Sequence, residues 1–140
     1  MIEQGQTLSM KLILLVEDDP LRAEKIQACI PRGARCIWAR SAGVAIGVLK
    51  RDTFACVLLD HDLEKEPYNS GLNGQAVARA ICETQSRKMC RIFIHSQNSI
   101  GGAAMRQLLS EAGFDVERFS WCEEASVILR EWLEASLLEE

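Results

Sequence analysis

The sequence predicts a single α/β domain with a five-stranded parallel sheet, doubly wound so that helices cover both faces. Three observations carry this expectation. Short apolar runs alternate five times with longer amphipathic stretches, the pattern of repeated strand–helix units. The run 54–59 is apolar throughout, as in a central strand buried on both faces. At 140 residues, with 48% hydrophobic and 26% charged residues, the chain suits one globular core.

Each element has its own signal. The first strand is read at 11–16. Pro20 sits where a first-turn proline is tolerated, and Asp18 or Asp19 can cap a helix running from there to about Ile30, before Pro31 and Gly33 stop it. A weaker strand is expected at 35–39. Ser41 caps a second helix whose apolar face is assigned Val44, Ile46, Val48 and Leu49. The third strand is 54–59. A polar loop spans 63–74, long enough to be functional. A helix at 75–84 and a strand at 91–95 follow. Asn98 or Ser99 caps the next helix, which carries Met105, Leu108 and Leu109 and ends before Gly113. A short strand at 116–119 precedes a closing helix at 123–137, with Val127, Ile128, Leu129, Trp132 and Leu133 on or near its buried face. The economical strand order is the flavodoxin-like 2-1-3-4-5, which makes strands one, three and four neighbours.

Bulk properties narrow the function classes. A net charge of −4 argues against broad DNA or anionic-membrane binding. Apolar runs fall far short of the ~20 residues that span a bilayer. Residues 1–10 are polar and lack a signal-peptide core, so they read as a flexible arm before a single domain at 11–140, in a cytoplasmic protein. The six cysteines form no CxxC pair and read as reduced, mostly buried thiols, not as a zinc site.

The chemistry-bearing residues gather at the predicted strand ends. Both histidines, His61 and His95, directly follow apolar runs. Glu17, Asp18 and Asp19 follow the first strand, and Asp60, Asp62, Ser96 and Asn98 flank the histidines. Clustered carboxylates repel one another unless a cation relieves them, and oxygen-rich sets select hard ions such as Mg²⁺ or Mn²⁺. Helix capping alone explains one acidic residue of the triplet, not all three. Two strand-end histidines suit general acid and base roles in phosphoester cleavage, against the simpler role of ordering a loop. The Ser96–Gly102 stretch enters a helix whose free N–H groups suit phosphate, although capping also explains Asn98. Arg22 is a phosphate-clamp candidate or a solvated helix arginine. Trp121 is a core residue or a cover for the pocket.

These residues resemble a known family. Leu14-Leu15-Val16-Glu17-Asp18-Asp19-Pro20 is similar to the opening of response-regulator receiver domains, and Leu58-Leu59-Asp60 to the strand ending in their phospho-acceptor. The resemblance covers essentially the whole chain after Met10. It implies that Glu17 and Asp18 hold Mg²⁺, that Asp60 is a third ligand, that the backbone carbonyl of Asp62 completes the set, and that Ser96 occupies the switch position. Receivers carry a lysine and proline after the fifth strand. Here that stretch is Phe119-Ser120-Trp121-Cys122, and no lysine follows Lys88. These departures resemble a narrower branch, receiver-like domains proposed to process cyclic phosphates. Leu59-Asp60-His61-Asp62-Leu63, Ile94-His95-Ser96-Gln97-Asn98, Gly101, Gly102, Met105 and the opening through Arg22 carry that likeness.

Two functions are therefore expected. One is a metal-dependent phosphoesterase acting on a cyclic phosphate, in a small molecule or at an RNA end. Its catalytic residues would be His61, His95 and Asp60, its phosphate contacts Ser96, Asn98 and Arg22, and its metal ligands Glu17, Asp18, Asp60 and Asp62. The other is a single-domain response regulator phosphorylated on Asp60 by a histidine kinase partner.

Overall fold

The computed structural model describes residues 10–63 and 72–138. Five strands, β1 (Lys11–Val16), β2 (Ala34–Ala39), β3 (Cys56–Leu59), β4 (Arg91–Ile94) and β5 (Asp115–Arg118), form one parallel sheet ordered β2-β1-β3-β4-β5. Five helices connect and close it: α1 (Pro20–Gln27), α2 (Ala42–Arg51), α3 (Gly74–Thr84), α4 (Ser99–Glu111) and α5 (Ala125–Leu138). The predicted fold and strand order are those observed.

Strand alternation divides the core in two. Leu14, Val16, Val57, Leu59, Ile92 and Ile94 pack with residues of α2, α3 and α4. Ile13, Leu15, Cys56, Leu58 and Phe93 pack with residues of α1 and α5, where Trp132 lies 5.2 Å from Phe93 between ring centroids. The side chains of β3 are wholly buried, as its unbroken apolarity requires. On edge strand β5, Asp115 and Glu117 alternate outward, and exposed charges discourage pairing with another strand.

Caps set several boundaries. Asp19 accepts from the Leu21 amide, Ser41 from Val44, Asn73 from Gln75, and Asn98 from Gly101. α1 is shorter than expected. Its last residues close three-residue turns, Cys29 N–H to Ile26 and Ile30 N–H to Gln27, because Pro31 offers no N–H and disfavours helix before it. β3 begins two residues late: the Phe54 amide donates to Gln85 Oε1 at 2.9 Å instead of to a strand, while Ala55 already bonds to Leu12 and Arg91. The Gln85 amide nitrogen in turn donates to Leu49 and Asp52 carbonyls, tying the end of α2 to the end of α3.

Two face assignments are corrected. Val44 and Val127 are 50% and 54% exposed. The expected Val48 and Leu49 of α2 and Leu129 and Leu133 of α5 are buried, joined by Ala42, Ala45 and Ala125. Dense apolarity in both helices obscured which residues lie on the 3.6-residue stripe.

All six cysteines are free. Burial pushes the Cys36 thiol up to about 11 and those of Cys56 and Cys90 to about 12. The arm at 1–9 and most of the loop, 64–71, lie outside the described residues.

Candidate functional site at the carboxyl edge of the sheet

Sheet register builds the site. Val16 pairs with Leu59, and Leu59 with Ile94. One step further, the ladder continues through Asp60 N–H to the Val16 carbonyl and His95 N–H to the Leu59 carbonyl. Glu17, Asp60 and His95 therefore stand in one row across three adjacent strands, following the residues that face α1 and α5. They are 0%, 4% and 1% exposed. Each offers a ligand atom within 4.8 Å of the others, the metal-type cluster found among the described residues.

The next row is Asp18, His61 and Ser96. Alternation turns this row toward α3 and α4. The His61 ring packs on Gly101 in the first turn of α4, where a Cβ would overlap it. The two histidines thus serve different partners, because His61 and His95 differ by one register step. The expectation of a shared pocket becomes two half-sites. Asp60 joins them, since its Oδ1 accepts from the His61 backbone N–H at 2.8 Å.

In the inner half-site both Glu17 carboxylate oxygens have partners. His95 Nε2 lies 2.8 Å from Glu17 Oε1, and Arg22 Nη1 lies 3.0 Å from Glu17 Oε2 and 3.8 Å from Asp60 Oδ2. Arg22, 25% exposed at its side chain, spans the two carboxylates. Burial works to raise the Glu17 pKa. The hydrogen bond and charge of His95, the Asp19 amide and Arg22 outweigh it and hold the carboxyl below its ordinary value. Asp60 goes the other way: burial, reinforced by the Glu17 charge, lifts it despite His95, the His61 amide and Arg22. Asp18 is also raised, by burial first and then by the charges of Glu17 and Asp60. Three carboxyl groups therefore press on one another at this edge. Such a set fits a hard divalent cation.

Trp121 covers the inner side. Its ring meets the His95 ring edge-on at 6.4 Å, and its backbone N–H donates to the His95 carbonyl at 3.1 Å. It follows the fifth strand, in the stretch where receivers carry lysine. Ser120 Oγ donates to the Ser96 carbonyl at 3.2 Å and holds that segment against β4. His95 Nδ1 is buried without a hydrogen-bond partner among the described residues.

The outer half-site is a hydrogen-bonded chain of His61, Asp62 and Asn98. Asp62 Oδ1 lies 2.8 Å from His61 Nδ1 and accepts from Asn98 Nδ2 at 3.0 Å. These bonds, that to His61 first, lower the Asp62 pKa. The Asp62 carboxylate is therefore committed to His61 and Asn98 and is not in the acidic cluster. Asn98 also caps α4 through Gly101 N–H at 2.8 Å, so the helix terminus and this hydrogen-bonded set share one side chain. Ser96 is 1% exposed, and its Oγ accepts from the Asn98 backbone N–H at 3.0 Å.

Several contributors carried weak sequence signals. Trp38 Nε1 donates to the Glu17 carbonyl at 2.7 Å. A Cβ on Gly74 would strike the Asp60 carbonyl and the His61 backbone, and the Gly74 N–H donates to the His61 carbonyl at 2.8 Å. The Arg118 guanidinium crosses the face of Gly102, 2.5 Å from where its Cβ would stand. Glycines in the first turns of α3 and α4 were the available sign that side chains or backbone press close there.

The profile of the cyclic-phosphate processing receiver domain matches residues 12–111. No curated protein matches. Among solved structures, a CheY-like receiver domain from Methanospirillum hungatei JF-1 superposes with a TM-score of 0.67 at 18% identity, covering 94% of this chain and 100% of that one. A receiver domain of a sensor histidine kinase from Pseudomonas aeruginosa PAO1, with magnesium coordinated in its active-site cleft, gives 0.63 at 23% identity over 90% and 99%. A CheY-like receiver domain from Methylobacillus flagellatus gives 0.66 at 18% identity over 91% and 99%. At these identities the structures speak for the fold.

Proposed function

The chain belongs to the family of cyclic-phosphate processing receiver domains, and on that basis we propose that it is a metal-assisted phosphoesterase opening a cyclic phosphate at the carboxyl edge of its sheet. The observation that carries this reading is the orientation of His61. An ionised Asp62 on Nδ1 favours the tautomer with its proton there and leaves Nε2 as a base. A positioned base with a third group orienting it is the arrangement general-base chemistry needs.

Water attacks phosphorus, one P–O bond forms and one ester P–O bond breaks. His61 Nε2 takes the proton from water, and the departing oxygen takes a proton from solvent, leaving a phosphomonoester. Asn98 and the α4 N-terminus favour the phosphate oxygens, with Ser96 ordering Asn98 behind them. Glu17, Asp18, Asp60 and the Asp62 carbonyl would hold Mg²⁺ or Mn²⁺, which supplies charge stabilisation for the phosphate. His95, buried against Glu17, suits a residue that keeps this carboxylate ionised for the cation. Asp60 links the two halves. A reducing cytoplasmic setting suits the free thiols.

The test is Mg²⁺-dependent hydrolysis of a 2′,3′-cyclic nucleotide panel. His61→Ala is expected to cost about 10²–10⁴ in kcat/KM. His95→Gln, which retains a donor for Glu17, is expected to keep the fold while weakening Mg²⁺ dependence. Turnover unaffected by His61→Ala, or no turnover of any substrate, would overturn the reading. The second reading, phospho-transfer to Asp60 from a histidine kinase, is favoured by the place of Asp60 at the end of β3. Acyl-phosphate labelling lost in Asp60→Asn would support it.

A further inference from the structure

A groove of about 560 Å³ opens between the first turns of α3 and α4, with His61 and Asn98 in its wall. It is distinct from the acidic row, which faces α1 and α5. Its volume falls within the roughly 300–1,000 Å³ of small-molecule sites. Leu72 and Ile100 line it, 40% and 85% exposed. Neither adds much to the core, so their apolar surface is available to a ligand. Gln75 and Arg79 line it too. They lie four residues apart on α3 and so share one face of that helix.

We infer that this groove takes the nucleobase of a nucleoside 2′,3′-cyclic phosphate, an inference that rests on the phosphoesterase reading. A base has an apolar π-face and a hydrogen-bonding edge. Leu72 and Ile100 meet the first need. Gln75 and Arg79 meet the second, since amide and guanidinium side chains pair with base edges in a fixed donor–acceptor geometry. Gln75 Oε1 is buried with no hydrogen-bond partner among the described residues. Turning that amide toward a base N–H breaks no existing bond at the oxygen and satisfies an orphaned acceptor. The base and the cyclic phosphate of such a substrate are separated by one ribose, and His61 borders the groove and belongs to the hydrogen-bonded chain.

The experiment is an amide NMR titration of the full chain with adenosine, adenosine 2′,3′-cyclic phosphate and base-free methyl riboside 2′,3′-cyclic phosphate, beside hydrolysis of both esters. Each is repeated with Ala104→Trp, which fills the groove from an exposed position on α4. Adenosine alone is expected to shift the amides of Ala76, Ile100 and Gly101. The nucleotide is expected to bind about tenfold tighter than the base-free ester, and Ala104→Trp to bring that ratio near one. An RNA trimer ending in the same cyclic phosphate separates the two sources of the nucleoside: equal affinity assigns a free nucleotide, tighter binding an RNA end.

Adenosine moving no groove amide, or a ratio that Ala104→Trp leaves intact, overturns the base site. If the base-free ester is still hydrolysed in a His61-dependent way, the phosphoesterase reading stands without it. If adenosine shifts the groove amides and no ester is hydrolysed, the base site stands and the phosphoesterase reading falls.

Discussion

Asp60 shows how one residue couples stability to the site. Its carboxyl is raised by burial and by Glu17, so the native state holds this proton more tightly than the unfolded chain does. Stability without metal therefore falls as pH climbs from the ordinary value of 3.8 through the raised native one. Asp18 acts in the same sense. Glu17 acts oppositely: its contribution is present above the ordinary value of 4.5 and is lost as pH falls through its lowered native one. Asp60→Asn, which keeps an acceptor for the His61 amide, is expected to stabilise the metal-free protein at pH 7 by about 1 kcal/mol. Chemical denaturation in EDTA measures this, and the gain should shrink toward pH 4. A constant gain across pH would sink the charge argument. The sequence showed which residues meet at this edge but not which face each joins. A single register step between His61 and His95 depends on strand alignment, which no local pattern encodes.

At the level of elements, the start of α4 serves the site more than the core. A Cβ at Gly101 would displace the His61 ring. Gly101→Ala should therefore cut cyclic-phosphate hydrolysis by at least about tenfold, while circular dichroism melting moves little. Equal loss of both would mean the helix itself had failed. Gln85 is a contrasting case. It joins α2, α3 and the entry to β3, and it lies far along the chain from its partners. Gln85→Ala strands a buried amide and two carbonyls and should cost about 3 kcal/mol in urea unfolding. Caps and the central strand were legible because each follows from local chemistry, and strand order because helical crossovers restrict a parallel sheet to few arrangements. Gln85 was not, since a glutamine after a helix carries no mark of what it will hold.

For the molecule as a whole, the two core layers lie on opposite faces of one sheet and share its strands β1, β3 and β4. Tryptophan fluorescence and far-ultraviolet dichroism should trace one coincident unfolding transition; separate midpoints would contradict a single domain at 11–140. Binding of Mg²⁺ to the native acidic row should raise Tm with concentration, the unfolding free energy growing by about 2.7 kcal/mol at a hundredfold excess over Kd. Glu17→Gln should abolish that rise, and an undiminished rise would move the cation elsewhere. The distribution of thiols has a practical side. Five are held above their ordinary titration range, and only the thiolate is nucleophilic. Cys122 alone is exposed, and it adjoins the Trp121 that covers His95. A maleimide dye added to the unaltered protein would then couple chiefly at one position. The chain carries its own reporter handle, one residue from the tryptophan whose ring meets His95.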